Sequence, residues 1–124
     1  DGNFRELKVE RSLSWAQLLA ILGNTFIHPT PEEYFSKRMN EYLNETGLED
    51  ARRIMPRAHA VARAQINIRA LHEIKMQMRQ NDWIVQAGRD DRQRMLWQTT
   101  AKAQKLLESN LLDTDRVYSF KTPY

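Results

Sequence analysis

The sequence predicts an all-α domain, and three observations carry that expectation. Apolar side chains recur at intervals of three and four along most of the chain, and helix-opening residues stand ahead of several of those runs. Only four Gly and four Pro interrupt 124 residues. That length suffices for one domain, and a composition of 41% hydrophobic and 28% charged residues is that of a folded protein. The expected architecture is a small helical bundle: a body like a helix-turn-helix hairpin, with an extended arm at either end.

Residues 1–13 read as an N-terminal arm, in which Phe4, Leu7 and Val9 are too few for a core of their own yet costly to leave in water. Ser14-Trp15-Ala16-Gln17 fits a capping box. Leu18, Leu19, Ile21 and Leu22 follow it, and Gly23-Asn24 supplies a left-handed stop. Thr30-Pro31-Glu32-Glu33 reads as the next start, with Thr30 as cap and Pro31 at the first helical position. Tyr34, Phe35, Met39, Tyr42 and Leu43 then mark an apolar face that Gly47 closes. A short helix over Leu48 to Met55 breaks at Pro56, because proline is tolerated at a helix start and not inside. From Pro56 a long helix extends to about Gln80.

Trp83 to Gly88 is ambiguous, because Asp82 can cap one helix and Asp90 another. Met95, Leu96, Thr99, Ala103, Leu106, Leu107 and Leu111 repeat at helical spacing through a last helix. Residues 14–112 thus form a single helical domain. Residues 113–124 form a C-terminal arm whose DRVYSFKTPY holds Val117, Tyr118 and Phe120. These three, with Phe4, Leu7, Val9 and the anchor Trp15, are the expected contacts to other subunits.

Charge points to an anionic partner. The net charge of +3 hides a segment, residues 51–80, with seven basic side chains against Glu73 alone. Residues 28–50 hold six acidic against two basic. In the basic segment Arg outnumbers Lys six to one, and guanidinium grips phosphate in a planar, bidentate fork. No base-reading motif accompanies it, so the expectation is sequence-tolerant binding to the phosphate backbone. The competing reading is a central bundle helix whose Arg stems cover apolar surface.

Other chemistry finds little support. No cysteine is present, which removes disulfides and thiolate ligands. His72-Glu73 begins an HExxH motif, but position 76 is Met. There is no Gly-rich phosphate loop and no nucleophile elbow. A helix-turn-helix with its turn at Asn44-Glu45-Thr46-Gly47 has the right order, but Glu49 and Asp50 would open its recognition helix against phosphates. A plain turn fits better there. The expectation is no enzyme, no cofactor, no metal, no small-molecule substrate and no transmembrane segment.

The basic run RRIMPRAHAVARAQ, the arms at both ends and the helical body resemble the major coat proteins of filamentous archaeal viruses, the rudivirus, lipothrixvirus and tristromavirus group. The resemblance implies a structural protein that assembles into a helical filament on double-stranded DNA, located in the virion. It places Arg52, Arg53, Arg57, Arg63, Arg69, Lys75 and Arg79 at phosphates and the N-terminal arm on adjacent subunits. The alternatives are a cytoplasmic DNA-binding or packaging accessory protein, of the phage terminase small-subunit type, and a helical protein–protein adaptor.

Overall fold

A computed structural model describes the backbone of residues 8–54, 65–109 and 117–123, and side chains within 11–47, 65–109 and 118–119. Among these residues the order is β1 (Lys8–Ser14), α1 (Trp15–Thr25), β2 (Thr30–Pro31), α2 (Tyr34–Ile54), α3 (Ile68–Gln80), β3 (Ile84–Arg89), β4 (Met95–Thr99), α4 (Ala101–Ser109) and β5 (Val117–Pro123). The all-α expectation is overturned. Two antiparallel sheets accompany the helices, one of order β1-β5 and one of order β2-β4-β3.

Within the two expected arms, residues 8–14 and 117–123 form one antiparallel ladder, paired from Lys8↔Pro123 to Ser14↔Val117. Ser14 ends β1 and caps α1: its hydroxyl accepts from Gln17 N–H at 3.0 Å while the Gln17 carboxamide accepts from Ser14 N–H at 2.9 Å. That capping box is as expected. The helix passes through Gly23 to Thr25, because Gly23 serves packing there: a Cβ on it would lie 3.1 Å from Leu107 Cδ1 of α4.

Thr30-Pro31 does not open a helix. Thr30 turns its hydroxyl back to the His28 carbonyl at 2.7 Å, and the pair forms β2 against Trp97 and Leu96. Proline suits this short edge strand, having no N–H for a second neighbour. Gly47 does not stop α2 either. It is buried, with Arg11 of β1 alongside, donating to Thr46 Oγ1 at 2.7 Å and lying over the Tyr42 ring. Tertiary packing there overrides glycine's weak helix propensity. No turn therefore separates residues 44–47 from Leu48, and the helix-turn-helix considered at that place is absent.

The long helix from Pro56 is also corrected. Residues 65–67 are not helical, and residues 55–64 lie outside those described. Asn40, in the second turn of α2, accepts from Ile66 N–H at 2.6 Å and fixes where the chain returns to the body. Asn67 then caps α3, accepting from Arg69 N–H at 2.8 Å and Ala70 N–H at 3.3 Å. At the far end Asp82 sits at φ 61°, with Trp83 N–H bonded to Met78 O and Asp82 N–H to Arg79 O. This is a Schellman stop built without glycine.

The stretch around Trp83 to Gly88, ambiguous in sequence, and Met95 to Thr99, helical in sequence, form a β-hairpin of β3 and β4. Along β4 Trp97 and Thr99 are buried and their neighbours partly open, so the period is two. Gly88 at φ 89° supports a bulge, where the register shifts between Gln86 and Arg89. One core joins the parts. Leu18, Leu19 and Leu22 of α1, Phe35, Met39 and Leu43 of α2, Ile74 and Met78 of α3 and Trp97 of β4 are buried together.

Candidate nucleic-acid interface

α3 buries one side through Ala70, Ile74 and Met78, four residues apart. At about 100° per residue the opposite side collects Ile68, Arg69, His72, Met76, Arg79 and Gln80, all exposed. Arg69 and Arg79 have no ion pair among the described residues. The Arg79 guanidinium lies 5.7 Å from the Trp97 ring centroid, a cation–π contact that steadies the head of a side chain on an exposed residue. Lys75 is different. It turns inward, 2.6 Å from Glu32 Oε1 and over the Phe35 and Trp97 rings.

The hairpin follows this helix and meets it where Lys75 and Arg79 lie over the Trp97 ring of β4. Its tip, Asp90 to Arg94, is held by one carboxylate: Asp90 Oδ1 accepts from Arg92 N–H and Arg94 N–H at 2.9 Å each, and Oδ2 from Arg94 Nε at 2.7 Å. Arg94 also reaches Glu33 at 2.7 Å, and Arg89 donates to the Gln93 carbonyl at 2.7 Å. Arg92, at the apex, is exposed and has no ion pair among the described residues. The tip is thus a rigid loop that presents one free guanidinium.

The Arg94 backbone N–H, its side chain and the Arg92 N–H hold the Asp90 carboxyl below the usual aspartate range. A carboxylate depressed in the folded state stabilises the tip above the ordinary value near 3.8 and loses that effect as pH falls through its lowered one. The Arg92 and Arg94 amide resonances are therefore expected to titrate together with a midpoint below that of a free aspartate. A midpoint at or above it, or amides that never move, would show that Asp90 does not organise the tip. Asp90→Asn should abolish the titration.

The expected phosphate contacts are only partly brought together. Arg69 and Arg79 share the open face of α3, and Lys75 is engaged within the fold. Arg52 and Arg53 lie on the last turns of α2, their side chains outside the described set, and Arg57 and Arg63 lie outside it altogether. Among the expected subunit contacts, Trp15 and Tyr118 pack on each other at 5.7 Å, and Trp15 meets Trp83 edge-on at 6.4 Å. The Tyr118 hydroxyl donates to Glu73 of α3, and burial together with that hydrogen bond pushes the phenol up to about 12. Val9, Val117 and Phe120 are ladder residues of β1 and β5, and Phe4 and Leu7 lie outside the described residues.

Sequence reasoning missed Ile68, His72, Gln80 and the hairpin cations Arg89, Arg92 and Arg94. The available signal was Gly88-Arg89-Asp90-Asp91, a turn cluster between two short segments of period-two character. Among the described residues no helix is long and apolar enough to cross a membrane, and no three acidic or histidine side chains gather as metal ligands. No protein-family model, curated protein or solved structure matches the chain.

Proposed function

We propose that the protein binds duplex DNA, with α3 in the major groove and the β3–β4 hairpin beside it on the backbone or minor groove. The observation that carries this is the order α1, β2, α2, α3, β3, β4 with strand order β2-β4-β3. In that order α3 stands directly ahead of the hairpin, placed as a recognition helix that can enter the groove while the hairpin reaches the backbone beside it. Charge agrees with it. The outward cations Arg69, Arg79 and Arg92 lie on these two elements, while Lys75 and Arg94 neutralise Glu32 and Glu33 beneath them.

The coat-protein expectation rested on the Arg-rich run, a helical body and arms that pack on adjacent subunits. Residues 8–14 and 117–123 of those arms pair with each other, which favours the DNA-binding accessory protein. Preference for a sequence also gains support, since Arg69, His72 and Gln80 carry donors and acceptors suited to base edges. We infer a binding role without catalysis.

The test is fluorescence anisotropy with labelled duplexes, followed by selection from a random pool. Micromolar or tighter binding is expected, weakening steeply with salt as counterions are released. The pool should converge on a preferred site. Duplex RNA should bind less well, because the narrow A-form major groove does not admit a helix. Equal affinity for RNA and DNA, or no duplex binding at about 50 mM salt, would overturn the proposal.

A further inference from the structure

Ile68 is the first residue of α3 and is 85% exposed, whereas the nearby apolar residues Ile66, Ala70 and Ile74 are buried. A large aliphatic side chain left in water is unfavourable, and β-branched Ile is not chosen for helix propensity. Among the described residues no neighbour accounts for it. The Asn67 carboxamide beside it is already engaged in capping the helix.

Its surroundings say what kind of partner would cover it. On the helical projection His72 lies about 40° from Ile68 one turn on and Arg69 about 100°, while Arg79 shares the face about 16 Å further along the axis. An apolar protein surface covering this face of α3 would desolvate Arg69 and Arg79 without pairing them, a costly arrangement. A polyanion suits the cations, and the apolar spot must then meet an apolar group within that polyanion. In duplex DNA the major groove exposes one such group among the four bases, the thymine 5-methyl.

Resting on the duplex-binding reading above, we propose that Ile68 is a specificity-determining residue that packs on a thymine 5-methyl group in the major groove. Arg69 and His72 stand beside it to contact phosphate or the adjacent base. The substrate is thereby narrowed to duplexes with thymine at one fixed position, and this thymine should be distinguished from uracil, which lacks only the methyl.

The experiment takes the best duplex from the selected pool and replaces each thymine by uracil, one position at a time. At one position the wild-type protein is expected to lose about fourfold in affinity, the value of one buried methyl group. Ile68→Ala should bind the thymine and uracil duplexes equally. Its melting temperature should be unchanged or higher, because the side chain is solvated and Ala is the better helix former. Equal wild-type affinity for thymine and uracil at every position, with duplex binding intact, overturns the role of Ile68 and leaves the duplex reading standing. Failure to bind any duplex overturns both. A change of oligomeric state in Ile68→Ala, with thymine discrimination retained, assigns the residue to a protein contact and also overturns the proposal.

Discussion

Replacing Arg69 and Arg79 together by Gln is expected to weaken duplex binding by roughly a hundredfold, at about 1.5 kcal/mol for each charge-assisted hydrogen bond removed. The slope of log affinity against log salt should become shallower by about 1.8, since each neutralised phosphate releases about 0.9 counterion. The fold should survive with little change. Arg69 is exposed and without an ion pair among the described residues, and Arg79 gives up only its position over the Trp97 ring, worth about 0.5–1 kcal/mol at an exposed site. Lys75→Gln supplies the contrast. Its ammonium is held by Glu32 and faces two aromatic rings, so the change should lower the melting temperature and leave the salt slope alone. A double variant that keeps the wild-type slope, or a Lys75→Gln that lowers it, would move the interface away from the outer face of α3.

Phe35→Ala is expected to cost about 3–5 kcal/mol, a large share of the roughly 5–15 kcal/mol typical of a domain. Phe35 is buried, stacked on Phe26 at 4.2 Å and edge-on to Trp97 at 6.1 Å, with Lys75 above it. It therefore joins the C-cap of α1 to α2, α3 and β4 at one point. Urea denaturation of the variant should show a much lower midpoint with the same dependence on denaturant. A loss under about 1 kcal/mol would mean that these elements do not share one core as described.

Local chemistry was legible in the sequence wherever a residue's partners are its near neighbours. The Ser14–Gln17 box is such a case, and so are the apolar positions of α1 and α2. What misled was chemistry with two outlets. Thr30-Pro31 is equally good at the start of a helix and on an edge strand, and Trp97, a distant partner, decides between them. Gly47 stops a helix in isolation but continues one beneath the buried Arg11. Met95, Leu96 and Thr99 match a helical interval, yet the same five residues read Trp97 and Thr99 at a period of two. Short apolar stretches allow both periods.

At the candidate site the sequence indicated the sign of the charge and α3 as one carrier of it, through Arg69 and Arg79. It did not separate Lys75 from them, because that distinction depends on Glu32, 43 positions away. Nor did it show Arg92 and its neighbours as part of the same surface, since an aspartate at position 90 suits a helix cap as well as the anchor of a hairpin tip.

The β1–β5 ladder has a consequence for how the chain comes together and how it comes apart. Ser12 and Ser119 bond across it although 107 positions separate them, so it closes a loop that holds every other described element. The entropy of closing so long a loop grows only as the logarithm of its length, but such pairings are slow to find. During synthesis β1 emerges first and must wait with both edges unpaired until β5 has left the ribosome, an interval in which a strand can recruit the wrong neighbour. Mechanically the ladder is a clasp. Tension on the two ends would open it from Lys8–Pro123 inward, one pair at a time, before any load reached α3 or the hairpin.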